Sequence, residues 1–497
     1  MIADFAQPTI LVVGLGESGL ALARFIARSR AVTGATLRLA DSRETPPQLD
    51  ALCAEFAGVE IHCGSLPASL LDGVDVVGLS PGLSPFLPPA KALIDEARTR
   101  GIPIWSEVEF FASALRALKA ERGYAPKCIG ITGTNGKTTV TSLAAHLARG
   151  AGLTAVAAGN ISPSVLDALG AAIADDELPQ VWVLELSSFQ LETTHTLALD
   201  AAVLLNITDD HLDWHGDLAG YTRAKARVFD HAAIRIANRA DAATLAAAGP
   251  GAASFGLDAP ARVGAHGVVE DSALRWLARA DVADTDEKPV RRRAGAAVAA
   301  VPVELQRLMP ADALRIIGDH NIANALAALM LVEAIGVPVS RALHGLRECR
   351  GLPHRVETVG TVAGVDYIDD SKGTNVGATV AALDGLRRRI VLIAGGEGKG
   401  QDFWPLAAPA ERWVKSAVLI GRDARAIGHV LEAVTAIEYA DTLEQAVERA
   451  AALAEPGEAV LMSPACASLD MFRNYGHRAE VFVAAVREVA MAQGQPC

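Results

Sequence analysis

At 497 residues the chain is too long for one hydrophobic core and implies roughly three domains. Its 51% hydrophobic and 21% charged residues are those of an ordinary globular protein, and a formal net charge of -13 argues against a surface that binds nucleic acid or an anionic membrane. No apolar run is long enough for a bilayer span, and the N-terminus shows no basic-then-apolar leader. The six cysteines show no Cys-x-x-Cys spacing, so the expectation is a cytoplasmic protein without membrane insertion, disulfide frame or zinc site.

In chain order, residues 9–13 read as a buried parallel strand, and Gly14-Leu15-Gly16-Glu17-Ser18-Gly19 turns that strand into an apolar helix over 20–27. Residues 36–40 predict a second strand ending at Asp41-Ser42-Arg43, which sets an acid near the place where a ribose hydroxyl is read. A third strand over 74–79 ends in Ser80-Pro81-Gly82. The physics of the glycine turn asks only for a diphosphate at a helix N-terminus. A dinucleotide and a UDP-sugar supply one equally well, and a turn needed only for close strand–helix packing has the same spelling.

The second segment opens on the most specific motif of the chain. Residues 128–131 end a buried strand, residues 139–148 form an alanine-rich helix, and between them lies Gly133-Thr134-Asn135-Gly136-Lys137-Thr138-Thr139. Small residues leave backbone N–H groups free to surround phosphate, Lys137 would reach the outer phosphates, and the Thr138 hydroxyl would hold Mg²⁺. One departure from the usual pattern is Ile131, which stands where a glycine is customary. Residues 181–185 form a strand delivering Glu185, suited to Mg²⁺, and 201–205 another, delivering Asn206 to His211 at the same edge. Tyr221 to Lys225 fall on a helix. Between 258 and 312 the pattern weakens into Ala, Gly and Pro with the basic run Arg291-Arg292-Arg293, which predicts a solvated insertion. Order returns at Gly318-Asp319-His320-Asn321-Ile322-Ala323-Asn324, ahead of an apolar helix over 325–334.

The third segment again alternates strands and helices. Strands over 365–368, 390–393, 418–420 and 459–462 lead to Asp369-Asp370-Ser371-Lys372, Gly395-Gly396-Glu397-Gly398-Lys399, Gly421-Arg422-Asp423 and Ser463-Pro464-Ala465-Cys466. Every strand ends in small, polar or charged residues, which marks one ligand edge.

On Gly-Thr-Asn-Gly-Lys-Thr, Leu184-Glu185-Leu186-Ser187-Ser188-Phe189-Gln190-Leu191, Asp210-His211-Leu212-Asp213, Gly351-Leu352-Pro353-His354-Arg355, Asp370-Ser371-Lys372-Gly373-Thr374-Asn375 and Ser463-Pro464-Ala465-Cys466-Ala467-Ser468-Leu469-Asp470, the chain resembles the Mur ligases of peptidoglycan synthesis. The N-terminal turn and the C-terminal motifs favour their D-glutamate-adding branch. The resemblance covers nearly the whole length, apart from the insertion before Asp312 and a longer connection at 112–125. It implies an α/β chain of three domains: a Rossmann-like UDP-binding domain over 1–112, a P-loop ATP-binding domain over 113–350, and a Rossmann-like amino-acid-binding domain over 351–497.

The resemblance further implies an activity. ATP would phosphorylate the carboxylate of UDP-N-acetylmuramoyl-L-alanine, and the amine of D-glutamate would attack the acyl phosphate. Thr138 and Glu185 would hold one Mg²⁺, and His211 a second with Lys225, which would act as a carbamylated N6-carboxylysine because a bare ammonium cannot ligate a cation. Glu17, Ser18, Asp41, Ser42, Arg43 and Gly82 would hold the UDP portion, and Asn160 the muramoyl or alanyl part. Asn321, Asn324, Arg355 and Asp370 would address ATP, and Lys372 its phosphates. Thr374, Lys399, Ser468, Leu469 and Tyr475 would receive D-glutamate, the last two through backbone groups, since Tyr475 replaces the usual phenylalanine. The implied partners are small molecules, with no nucleic acid, and the implied state is a monomer whose domains close over the acyl phosphate. Three other readings stay open on sequence: an NAD-dependent oxidoreductase using the first glycine turn, a P-loop ATPase acting on a partner protein, and a sister ligase for another amino acid or for folate.

Overall fold

Short runs of Val, Ile, Leu and Ala with both faces apolar fit strands buried on both sides, and such runs supply the central strands of the three sheets the chain builds. The computed structural model describes residues 7–283, 302–349 and 351–495. They fall into two units: Met1–Glu270 with Trp276–Met309 and Ala325–Leu346, and Asp271–Arg275 with Pro310–Asn324 and Arg347–Cys497.

In the first unit, β1 (Thr9–Val13), β2 (Thr36–Asp41), β3 (Glu60–Cys63), β4 (Val76–Leu79) and β5 (Ile104–Trp105) form a parallel sheet of order β3-β2-β1-β4-β5. The chain order reverses between β1 and β4, the place where open α/β sheets receive ligands beyond the carboxyl ends of their strands. The helix after β1, Glu17–Thr33, is longer than the sequence pattern suggests. Its close approach explains two glycines. A Cβ on Gly19 would sit 2.1 Å from the Gly14 carbonyl oxygen, and Gly14 itself has φ +95°.

The second sheet holds β6 (Lys127–Thr132), β7 (Ala155–Gly159), β8 (Val181–Glu185), β9 (Leu199–Leu204), β10 (Ala232–Asn238), β11 (Ala253–Phe255), β12 (His266–Asp271), β13 (Leu274–Val282) and β14 (Val303–Pro310), in the order β14-β13-β12-β11-β10-β9-β6-β8-β7. The strand bearing the phosphate loop, β6, is thus flanked by β8 and β9, and register sets Ile131 beside both Glu185 and Val203. The last three strands correct the expectation of a solvated insertion over 258–312. Apolar residues of β13 such as Leu277, Ala278 and Ala280 are buried, although the consecutive buried positions Leu277 and Ala278 break the alternation that would read as a strand. Arg291-Arg292-Arg293 lies outside the described residues.

One continuous core joins the two sheets of this unit, from Ile10 and Val12 through Phe110, Phe111 and Leu169 to Trp182 and Leu184. Phe111 meets Trp182 edge to face with ring centroids 5.2 Å apart. The helix Glu107–Arg122 lies in that core, capped at its start by Ser106, whose side chain accepts from the Glu109 N–H, and at its end by left-handed Gly123.

The second unit is built on β15 (Glu357–Val362), β16 (Val365–Asp369), β17 (Ile390–Gly395), β18 (Val414–Ile420), β19 (Ala436–Tyr439) and β20 (Ala459–Met462), in the order β15-β16-β20-β17-β18-β19. Only β15 pairs antiparallel. Asp369 and Ile393 both align with Met462, so the loops after β16, β17 and β20 leave from one edge. No helix among the described residues is long and apolar enough to cross a membrane.

Candidate active site

The phosphate loop works by backbone geometry. Gly133 has φ +152° and Gly136 φ +88°, and the helix Lys137–Gly150 starts at once from Gly136, which points its first N–H groups into the loop. A side chain at Gly133 would strike Leu205 at 2.9 Å, so glycine is required there by packing as well. The loop is held from β9. Asn206 Oδ1 accepts from the Asn135 N–H at 2.8 Å and its Nδ2 donates to the Asn135 carbonyl at 3.0 Å, while the Thr134 hydroxyl accepts from the Thr208 N–H at 3.0 Å. Tyr221 donates its hydroxyl to Thr134 at 3.2 Å. Asn206 and Tyr221 are supports that motif reading does not single out, although both stand at the strand end and helix it identifies.

Two lysines converge on one carbonyl. Lys137 Nζ donates to Gly133 O at 3.0 Å and Lys225 Nζ to the same oxygen at 2.8 Å. Lys225 is 2% exposed, and burial first, then the charge of Lys137, holds its amine well below the ordinary lysine range, against the pull of Asp210 and Glu185. Its Nζ also lies 4.6 Å from the centre of the Tyr221 ring. Asn160 donates Nδ2 to Glu185 Oε1 at 3.0 Å, but Glu185 Oε2 is buried without a partner. A buried, unpartnered carboxylate oxygen beside a phosphate cradle fits a divalent cation. His211, at φ +52° after β9, sits 3.6 Å from Asp210 and edge to face with Phe189.

In the first sheet, Asp41 closes the glycine turn. Its Oδ2 accepts from the Leu15 N–H at 2.7 Å and from Arg43 at 2.7 Å, and its Oδ1 accepts from the Arg43 N–H at 2.9 Å. Burial pushes the Asp41 carboxyl up, but these donors outweigh it and leave the group below the usual carboxylate range. A Cβ on Gly14 would touch Ser80 at 2.6 Å, which brings the loop bearing Gly82 against the turn bearing Glu17 and Ser18. Nothing lies within 4 Å of where a Cβ would stand on Gly16 or Gly82, so both face open space. The UDP candidates, Ser42 included, therefore stand at the carboxyl ends of β1, β2 and β4.

The second unit assembles the other set around β16. Asp370 is buried, and burial pushes its carboxyl up to about 7 although Ser463 donates to it at 2.7 Å and Arg355 stabilises its charge. Lys372 Nζ lies 5.3 Å from the centre of the Tyr475 ring, linking the loop after β16 to the helix Tyr475–Ala492. Thr374 shares the loop of Lys372, Lys399 follows β17 at φ +53°, and Ser468 and Leu469 follow β20. Leu469 is 64% exposed, so its side chain anchors nothing within the unit. Asn324 donates to Asn321 at 3.1 Å on the helix Asp319–Ala334. Two supports escape sequence reading. His354 Nδ1 pairs with buried Asp369 at 2.7 Å, tying the loop of Arg355 to that of Asp370, and fully buried Arg478 donates to the Ser371 and Cys466 carbonyls at 2.8 and 3.2 Å. His354 stands inside the Gly351–Arg355 motif without a role of its own there, and Arg478 lies three residues beyond Tyr475. Although His354, Glu357 and Asp369 cluster within 4.8 Å, their oxygens already have partners: Asp369 accepts from the Ser371 N–H and meets His354 Nδ1, and Glu357 accepts from the His354 N–H.

Comparison with known proteins bears on the same residues. Three family descriptions match in succession: Mur ligase MurD-like, N-terminal domain, over 8–106; Mur ligase middle domain, over 131–332; and Mur ligase, glutamate ligase domain, over 354–466. The UDP-N-acetylmuramoylalanine--D-glutamate ligases of Burkholderia pseudomallei (strain 668) and Burkholderia thailandensis are each 57% identical over 507 aligned residues, 99% of this chain and 99% of theirs. Among solved structures, MurF ligase from Thermotoga maritima in complex with ADP shares the fold at TM-score 0.57 and 14% identity, covering 99% of this chain and 96% of that one. UDP-N-acetylmuramate-alanine ligase MurC from the same organism does so at TM-score 0.53 and 18% identity, covering 97% and 100%. With the phosphate-loop sheet, the N-terminal glycine turn and the third α/β sheet each falling within a matched Mur ligase domain, this chain belongs to the Mur ligase family.

Proposed function

We propose that this chain joins D-glutamate to UDP-N-acetylmuramoyl-L-alanine at the expense of ATP, in cytoplasmic synthesis of the peptidoglycan precursor. The observation that carries the chemistry is the convergence of Lys137 and Lys225 on the Gly133 carbonyl, beside a carboxylate with one oxygen to spare. Full-length identity of 57% to D-glutamate ligases supports the choice of amino acid. An oxidoreductase reading of the first glycine turn would leave the phosphate loop, Glu185 and Lys225 without a task.

Activation of the substrate carboxylate brings it against the γ-phosphate, so several negative oxygens crowd one volume. Lys137 and the N–H groups at the start of the helix Lys137–Gly150 offset that repulsion. Thr138 and Glu185 would hold one Mg²⁺, with His211 and Lys225 for a second; bound there, the cations supply charge neutralisation at the phosphoryl oxygens. The depressed basicity of Lys225 supports carbamylation, since a neutral amine is the nucleophile CO₂ requires. Nζ forms a bond to the carbon, one proton leaves, and the side chain gains an anionic oxygen pair. Asp41, Arg43 and the Gly16 turn would take the UDP portion, with Glu17, Ser18, Ser42 and Gly82 around it. In the second unit Asn321, Asn324, Arg355 and Asp370 would address ATP, Lys372 its phosphates, and Thr374, Lys399, Ser468, Leu469 and Tyr475 the D-glutamate. We take the working enzyme as a monomer.

Phosphate release is the test. With UDP-N-acetylmuramoyl-L-alanine, ATP and Mg²⁺, turnover should require D-glutamate and be absent with L-glutamate, L-alanine or L-lysine. Release that ignores the amino acid supplied would refute the reading.

A further inference from the structure

The junction between the first sheet and the helix Glu107–Arg122 is bonded, residue by residue, to the segment that follows Glu185. The Ser106 N–H donates to the Thr193 carbonyl at 3.0 Å, and the Ser106 and Thr194 hydroxyls meet at 2.8 Å. Glu109 Oε2 accepts from the N–H groups of His195 and Thr196 at 2.6 and 2.9 Å. Between them, Glu107 Oε1 accepts from Gln190 Nε2 at 2.7 Å. Gln190 uses its other amide atom on the turn itself, since its Oε1 accepts from both the N–H and the hydroxyl of Ser187 at 3.0 Å, and Ser187 caps the short helix Ser188–Glu192 in return. Ser187 is two residues beyond Glu185.

Burial makes this link more than one of many contacts. Glu107 is 3% exposed, Gln190 2% and Ser187 8%, and Glu107 Oε2 is buried without any partner. A carboxyl group kept in an apolar interior with half its capacity unused is poor value for stability alone, because an apolar side chain of similar volume avoids the desolvation. What it does supply is a fixed acceptor that orients the Gln190 amide. With Nε2 tied to Glu107, Oε1 is turned toward Ser187, and the chain leaving β8 can take only one path.

We infer that Glu107 is a positioning residue for the nucleotide site, holding Gln190 and Ser187 so that Glu185 presents its unpartnered oxygen to the cation, and so joining the frame of the UDP-binding sheet to the phosphate-loop edge. The inference rests on the assignment of Glu185 as a cation ligand, and the experiment separates the two.

The probe is Mn²⁺ with ADP, followed by the paramagnetic signal of the free ion, beside UDP binding as an internal control and steady-state KM and kcat. Glu185→Gln should abolish cooperative Mn²⁺–ADP binding; if it does not, the ligand assignment fails. Given that loss, Glu107→Met should weaken Mn²⁺–ADP binding about tenfold with UDP affinity retained, the usual scale for losing a group that orients a metal ligand. Glu107→Gln keeps an acceptor for Nε2 and should restore binding to within about twofold of the parent. Gln190→Met cuts the same link from the other side and decides the matter if Glu107→Met fails to fold. Parent-like Mn²⁺–ADP binding in the methionine variants, equal loss of UDP and Mn²⁺–ADP binding, or no rescue by Glu107→Gln would each overturn the proposal.

Discussion

Glu107 also fixes a pH dependence that can be worked out in advance. Burial, eased by the Gln190 amide and reinforced by Asp167, pushes its carboxyl up to about 7 from an ordinary 4.5. A carboxyl whose folded pKa is raised favours the folded state while protonated. Its contribution is therefore fully present below about pH 4.5, is lost as pH rises, and is gone above about pH 7. A rise of this size corresponds to roughly 3 kcal/mol in full, and to about 2 kcal/mol between about pH 5.5 and about pH 8.5, at 1.36 kcal/mol per pKa unit. Glu107→Gln cannot ionise, so the stability difference between parent and variant should move by about 2 kcal/mol in favour of the variant across that range. Differencing across pH cancels the pH-independent cost of the new amide N–H₂ in a buried site. In paired thermal melts of the two proteins, the gap should shift by several degrees, on the order of 2 °C per kcal/mol for a unit this large. A gap constant with pH would show that Glu107 is already ionised in the fold, and would refute the reasoning.

Lys137→Ala should lower kcat on the order of 10²–10³-fold while leaving the melting temperature nearly unchanged, because the Nζ bonds to the Gly133 and Thr134 carbonyls lie within its own loop; steady-state phosphate release beside a thermal melt checks both. Lys225→Ala should be inactive and partly rescued by a short carboxylic acid, and the parent should lose activity in CO₂-free buffer and regain it with bicarbonate. Full activity of the unrescued mutant would exclude carbamylation. Asp41→Asn loses the charge that Arg43 and the Leu15 N–H read, so UDP affinity measured by titration should fall roughly tenfold with little change in kcat.

Local chemistry made much of this protein readable from its sequence. Glycines at Gly14, Gly19, Gly133 and Gly136 are demanded by left-handed backbone or by close approach, conditions set within a few residues, and so the turns that cradle anions are spelled out directly. Runs of buried strand residues ending in acids likewise marked the strand ends on which the candidate site residues stand. The strands β12 to β14 were not legible, since their few apolar residues gain a periodicity only once the sheet edge exists to receive them. Tertiary structure alone decided that β6 runs between β8 and β9, which puts Glu185 beside the phosphate loop. It alone buried Lys225 beside Lys137, which depresses an amine that on sequence has a surface lysine paired with an acid as its alternative reading, and it alone bonded Glu107 to Gln190 across 83 positions. Strand order and desolvation are properties of the assembled core. They depend on residues far apart in the chain, and no window of sequence contains them.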